Sequence, residues 1–488
     1  MKRITRREAL KLAAIAGSSI LLPIGLLRRS FAASDASSQV KPLEPVSPKT
    51  PMFQVPLPIM PVLRPVYSDA TTDYYEITQQ KAQVEILPGL STTIWGYNGQ
   101  FPGPTIKSRV GRQTHITQIN NLPEPVVVHL HGMASLPQYD GYTLDSIPPG
   151  KSKEYIYPND HAATYWYHDH QYMMTAHHSY RGLTGMYIVE DDFEDSLPLP
   201  KGEYDVPLML QDRTFNQDGS LYYTPDADTV LVNGAPWPHM KVANRKYRFR
   251  ILNASISTAY QLALSSGQPF FAIGTDAGLM TAPVPVTDIR IGPAERYEVI
   301  IDFSTYPIGT QVVLNNLIDT DEFEQIMRFD VVRQERDDCF IPATLRDGIQ
   351  SLAPKAESEA VRTREFVFDQ NKQGDWVING KGFDPNFFIA TVNLGDVEIW
   401  RFRNTSTTDY HLVHLHLVKF RILARDGNPP FPYEQGPKDT VFLDVKTGNH
   451  EPEVTVLVKF GPHRGKYMFH CHVIDHEDHD MMAQFKVV

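Results

Sequence analysis

The chain has 488 residues, a hydrophobic content of 42%, a charged content of 21% and a formal net charge of −11. That length predicts about three domains, each large enough to bury its own core. An acidic balance without clustered basic residues argues against nucleic acid or anionic membrane as partners.

Residues 1–11 are basic and contain the pair Arg6-Arg7, residues 12–27 are uncharged and mostly apolar, and Ser30-Phe31-Ala32 offers a small-residue cleavage site. The uncharged run of 16 residues is short of the roughly 20 that a membrane-spanning helix needs. Residues 1–32 therefore read as a removable export signal of the twin-arginine kind. That route delivers the protein to the periplasm or beyond a bacterial envelope, with no membrane anchor once the signal is cut. A monomer is expected.

Residues 33–69 form a lead-in, with eight prolines between residues 41 and 66. It reads as extended chain that wraps the surface. Strand patterns dominate after it. Tyr297, Val299, Ile301 and Phe303 alternate with Glu298, Ile300, Asp302 and Ser304, a period of two. Val454, Val456, Val458 and Phe460 repeat the pattern. Short strands broken by Gly, Pro and Asn-Gly predict an all-β fold of sandwiches or barrels.

A weak internal repeat points to three such units. Asn-Gly occurs at Asn98-Gly99, Asn233-Gly234 and Asn379-Gly380, and each pair precedes by 20 to 25 residues a strand ending in asparagine: Asn120, Asn253 and Asn404. The predicted domains are residues 70–196, 197–350 and 351–488. Of the two cysteines, Cys339 and Cys471, the second has a metal-ligand setting, so no disulfide is expected.

Ten of the 18 histidines fall in four clusters: His129 and His131; His168 and His170; His411, His414 and His416; His470, His472 and His476. Side chains two apart on a strand share a face. His129 with His131, His168 with His170, His414 with His416 and His470 with His472 are thus same-face pairs, enough imidazoles for three metal ions. His411 lies three before His414 and Cys471 lies between His470 and His472, so both face the other way. Cys471 with His411, His476 and a distant Met481 forms the thiolate, imidazole and thioether set of a blue-copper centre. The remaining histidines, His177, His178 and His479 among them, read as structural or surface residues.

These motifs resemble those of three-domain multicopper oxidases and are similar to bacterial spore-coat laccases and bilirubin oxidases. The matching segments are His129-Leu130-His131-Gly132, Trp166-Tyr167-His168-Asp169-His170, His411-x-x-His414-x-His416 and His470-Cys471-His472-x3-His476-x4-Met481. The resemblance runs from about residue 50 to the C-terminus. It implies three cupredoxin-like Greek-key β-sandwich domains and four coppers per chain. On it, His411, Cys471 and His476 bind the type 1 copper, with Met481 axial, and His129 and His414 bind the type 2 copper. His131, His168 and His472 then serve one type 3 copper, and His170, His416 and His470 the other. The middle domain gives no ligand and acts as a spacer.

The implied activity is a laccase-like or bilirubin-oxidase-like oxidoreductase with dioxygen as acceptor. Single electrons come from phenols, aromatic amines or tetrapyrroles through an exposed imidazole edge, and water forms at the trinuclear cluster. Asp140 and Glu477 match the family's acidic positions for proton delivery and are the candidate catalytic residues. Two departures lie near the type 1 site: Leu412 stands where relatives commonly have proline, and Asp409 where fungal bilirubin oxidases have tryptophan. Alternative readings are a cuprous-ion oxidase for copper tolerance and a non-catalytic cell-envelope scaffold.

Overall fold

The computed structural model describes residues 46–319, 321–346 and 356–488. The export signal, the start of the Pro-rich lead-in and the boundary predicted at residue 350 lie outside the described residues. The expected all-β architecture is present as six sheets, two to each of three successive units. Each unit closes a sandwich over one large apolar core, built around Tyr97 and Tyr155 in the first, Phe249 and Phe329 in the second, and Trp400 and Phe469 in the third.

The internal repeat is a structural repeat. In each unit a long strand pairs in parallel with a later one: Thr72–Glu85 with Gln113–Asn120, Asp205–Phe215 with Lys246–Asn253, and Arg362–Gln370 with Val397–Asn404. Asn98, Asn233 and Asn379 each have φ between 52° and 54° and are followed by a glycine with positive φ. That is the left-handed pair that Asn-Gly adopts at low steric cost. Their side-chain carbonyls accept the backbone N–H of Thr78, Met209 and Val367. The strand-ending asparagines are buried clamps. Asn120 donates to the carbonyls of Glu124 and Ile147, Asn253 to those of Thr258 and Ile291, and Asn404 to those of Asp409 and Asp444.

The described part of the lead-in is a strap. The Ser47 N–H donates to Asp228, Phe53 N–H to the carbonyl of Trp237 and Leu57 N–H to that of His239, all on the second unit. It then crosses to the first unit, where Leu63 N–H donates to the Thr105 carbonyl. Proline lacks the donor needed for a continuous ladder, so the strap is held at intervals.

Alternation fails at the strand Arg296–Asp302, which is buried on both faces over nearly its whole length. Its second face is covered by the first unit, so the polar residues there are paired inside the protein. Arg250 donates to Asp205, Glu298 and Glu194 at 2.8 to 3.1 Å. Arg248 pairs with Glu194 at 2.6 Å and with Glu298. Glu194 belongs to the short helix Asp192–Ser196 that ends the first unit. Burial alone would push its carboxyl up, but Arg248 and Arg250 hold it down at about 2. A depressed carboxylate pKa stabilises the fold above the ordinary glutamate range, and that contribution is lost as pH falls through about 2. Glu194→Gln should therefore destabilise the protein at neutral pH by ~3–5 kcal/mol, the cost of breaking a buried pair. Melting curves of the two proteins should converge between pH 4.5 and pH 2. A constant gap across that range would refute the assignment.

Candidate metal centre

Two strand pairs aim their histidines at each other. In the first unit, Val128–His131 runs antiparallel to Ala163–Asp169 with His129 opposite His168. In the third, His411–Leu415 runs antiparallel to Gly465–Cys471 with His414 opposite His470. The units meet along this seam and their rings interleave. His131 stacks on His414 at 3.6 Å between centroids and His129 on His416 at 3.9 Å.

The candidate donors come together in groups whose ligating atoms all lie within 4.8 Å of one another: His129, His131 and His414; His131, His168 and His472; His170, His416 and His470; and His411, Cys471 and His476. All of these residues are buried. Burial drives the His168 and His411 imidazoles down to about 3 and lowers those of His129, His131, His170, His414, His416 and His472 as well. They are neutral at physiological pH, the form that binds a metal.

In His129, His131, His168 and His414 one ring nitrogen is occupied and the other turned inward, the support that orients metal-ligating histidines. His168 Nδ1 bonds the Asp169 carbonyl at 2.8 Å and His414 Nδ1 the Asp439 carbonyl at 2.8 Å. His129 Nδ1 bonds the Asp140 carbonyl. Their Nε2 atoms have no hydrogen-bond partner. His131 is reversed: Nε2 meets Asp439 Oδ1 and Thr440 Oγ1, both at 3.1 Å, and Nδ1 has no hydrogen-bond partner. So many inward lone pairs without a hydrogen would be costly in a dry core. They fit copper, to which imidazole is well suited.

At the sulfur site, Cys471 Sγ lies 3.5 Å from His411 Nδ1 and 3.7 Å from His476 Nδ1, which are 3.3 Å apart. A triangle of such edges has its corners about 2 Å from its centre, the length of a metal–imidazole or metal–thiolate bond. This trigonal set of two imidazoles and a thiolate fits copper. Burial pushes the Cys471 thiol up to about 12, while backbone hydrogen bonds from Leu412 and Val473 pull it down. A bound cation reverses that preference and deprotonates the thiol. Proline at 412 would have no N–H to give.

Strand parity placed His411 and Cys471, but His476 sits on a helical turn. It lies on the short helix Ile474–Asp478, which brings it back to the Cys471 face. The loop is fixed from both ends, with Cys471 N–H donating to the Met481 carbonyl at 3.0 Å and Met481 N–H to that of His476 at 2.9 Å. Met481 is fully buried in the core that also holds Cys471.

The expected exposed imidazole edge is corrected. His411 and His476 are only 0% and 1% exposed. Trp376 stacks on His476 at 3.9 Å, and Asp409 Oδ1 lies 4.0 Å from His476 Nε2. The period-two reading had no means of placing Trp376, which enters from the strand Trp376–Ile378.

Asp140 and Glu477 are both buried. They flank one donor group. Asp140 Oδ2 lies 2.8 Å from His416 Nδ1, while Glu477 spans His470 Nδ1 at 3.0 Å and His170 Nδ1 at 3.5 Å. Burial pushes Asp140 well above the carboxylate range. For Glu477 burial is outweighed by His470 and His170, which hold it at about 2. His178, read as structural, is a buried brace. Its Nδ1 meets Asp169 Oδ2 at 2.9 Å, on the residue between His168 and His170.

Residues 78–194, 187–334 and 355–488 match three sequence models, each described as multicopper oxidase. A bilirubin oxidase from Albifimbria verrucaria is 38% identical over 480 residues, covering 90% of this chain and 82% of that protein. A laccase from Bacillus subtilis is 35% identical over 515 residues, covering 88% of this chain and 97% of that one. The crystal structure of a laccase from Pediococcus acidilactici superposes with a TM-score of 0.82 at 31% identity, covering 91% of this chain and 96% of that chain.

Proposed function

The chain belongs to the multicopper oxidase family, and from that premise we propose the ligand assignment, the substrate face and the proton relay of a laccase-like enzyme. It is a copper-dependent oxidoreductase with dioxygen as acceptor. When bound, copper supplies one-electron acceptance at the sulfur site and four-electron reduction of dioxygen to water at the imidazole cluster. His411, Cys471 and His476, together with Met481, would hold the type 1 ion, and His129 and His414 would hold the type 2 ion. His131, His168 and His472 would hold one type 3 ion, and His170, His416 and His470 the other. The observation that carries this reading is the buried set of mutually close donor atoms, with His129, His131, His168 and His414 braced on the far side of the ring. Cys471 joins the two sites covalently, since His470 and His472 are its chain neighbours.

Reducing substrate meets the protein at Trp376 and Asp409, which cover His476. An indole face suits aromatic donors, and the Asp409 carboxylate can accept the proton a phenol or aromatic amine releases on oxidation. Tetrapyrroles fit the same chemistry. At the Nδ1 side of the rings they touch, Asp140, pushed up by burial, holds a proton for water formation, and Glu477, an ionised carboxylate, accepts protons and passes them on. Residues 1–32 direct export by the twin-arginine route to the periplasm or beyond. Among the described residues no helix is long and apolar enough to cross a membrane. We divide the mature chain into domains at 70–196, 197–350 and 351–488.

Purified, copper-loaded protein should contain four coppers per chain, show intense blue absorption, and oxidise phenols or bilirubin in preference to cuprous ion. Faster turnover of cuprous ion would favour the copper-tolerance reading. A full copper complement without oxidase activity would favour the scaffold.

A further inference from the structure

The middle unit reaches the support of the imidazole cluster through Arg296 and Asp276. Arg296, on the strand Arg296–Asp302, is wholly buried and grips Asp439 with both ends of its guanidinium. Its Nη1 lies 2.8 Å from Asp439 Oδ1 and its Nη2 2.6 Å from Oδ2. Every remaining donor of the fork is also used. Nε donates to the Thr164 carbonyl of the first unit, and Nη1 and Nη2 donate to the carbonyls of Ala294 and Asp276, each at 3.0 Å. Asp276 completes the frame by accepting the backbone N–H of Asp439 and of Thr440 at 3.1 and 3.2 Å. All three units therefore meet at one carboxylate.

That carboxylate touches the candidate ligands directly. Asp439 Oδ1 accepts from His131 Nε2 at 3.1 Å, and the Asp439 carbonyl accepts from His414 Nδ1 at 2.8 Å. His131 and His414 belong to different units and stack on each other. Gly132 gives independent support, because it has φ +91° and a Cβ there would sit 2.7 Å from both Arg296 Nη2 and Asp439 Oδ2. The glycine of His129-Leu130-His131-Gly132 is thus needed where the main chain passes over this pair.

We propose that Arg296 is a positioning residue of the trinuclear cluster. By clamping Asp439, it makes that carboxylate the acceptor for the proton on His131 Nε2, and so holds His131 in the tautomer and orientation that turn Nδ1 toward the metal. Arginine suits the task because its planar fork binds a carboxylate through two parallel bonds, where lysine offers a point charge. The second unit is then part of the cluster's support, beyond the spacer role expected from its lack of ligands. The proposal rests on the ligand assignment given above.

The test compares Arg296→Met and Arg296→Lys with Arg290→Met. Arg290 makes a different contact between the second and third units, to Asp444 at 2.5 and 3.2 Å. The readouts are copper retained against a chelator, the electron paramagnetic resonance signal of the type 2 ion, and the blue absorption. In Arg296→Met, cluster copper should be lost ~10–100-fold more readily, the range for removing a group that supports a metal ligand. The type 2 signal should change while blue absorption stays at full strength, and Arg296→Lys should restore retention in part. Arg290→Met should lower the melting temperature and leave both copper readouts unchanged. If Arg296→Met does not fold, Asp439→Asn, nearly isosteric, should show the same selective loss. Wild-type copper retention and spectra in Arg296→Met, or in Asp439→Asn if it alone folds, would overturn the proposal. So would equal loss of cluster copper in Arg290→Met, which would reduce the effect to domain docking. Wild-type protein that binds no copper would instead refute the ligand assignment beneath it.

Discussion

Cys471→Ser should yield a folded, colourless protein whose dioxygen consumption has fallen by well over 100-fold. Groups that merely support a metal ligand are worth about 10–100-fold in affinity or activity, and Cys471 is itself the only sulfur anion in its trigonal set. A serine hydroxyl is harder and far less acidic than a thiol, so it does not replace the thiolate that selects copper here. The substitution buries a hydroxyl in an apolar core, which costs about 1–3 kcal/mol and leaves the β-sandwich intact. The imidazole cluster is built from other residues, so its copper and its magnetic signature should persist. Copper analysis, the visible spectrum and oxygen-electrode rates measured on one preparation decide the matter. A Cys471→Ser protein that still consumes dioxygen at the original rate would end the two-site account.

Neutralising the buried carboxylates is the second large effect. Glu477→Gln should slow turnover by ~10²–10⁴-fold, the usual contribution of a positioned group that accepts and returns protons, with blue absorption unchanged. Glu477 bridges His170 and His470 while Asp140 holds His416, so both acids serve the same three-imidazole group. Asp140→Asn should show the same pattern, and the double variant should lose less than the product of the two, because neighbouring groups that act as a unit are not additive. Rapid anaerobic reduction of the blue centre in these variants would place the defect after electron entry. Unchanged turnover in both single variants would reject the relay.

Much of this site was legible because strand parity is a strict rule. His129 and His131 had to share a face, and His470 and Cys471 to divide between faces, as soon as they lay on strands. The Asn-Gly repeat was legible for a similar reason, since a left-handed pair admits few residues. What stayed hidden depends on contacts between distant segments. Trp376 comes from a hairpin 100 residues before His476 and has no local pattern to announce it. The alternation around Tyr297 put Glu298 on the opposite face, and nothing local says that the first unit covers that face and brings Glu194 to its arginines. Arg296 looked like one charge in Pro293-Ala294-Glu295-Arg296-Tyr297, and its role needs Asp439 from another unit. His476 was assigned from its motif, and the helical turn that delivers it is too short for a periodicity to show.

The order in which the donors occur along the chain also bears on assembly. His129, His131, His168 and His170 emerge early from the ribosome, but His470, Cys471, His472 and His476 follow only about 300 residues later. A nascent polypeptide that stops short of residue 470 therefore has no sulfur site and only a fraction of the cluster, and full metal uptake must wait until the third unit has been made. Colour becomes a report on completeness: a product cut short by a premature stop before Cys471 would stay pale however much copper surrounds it.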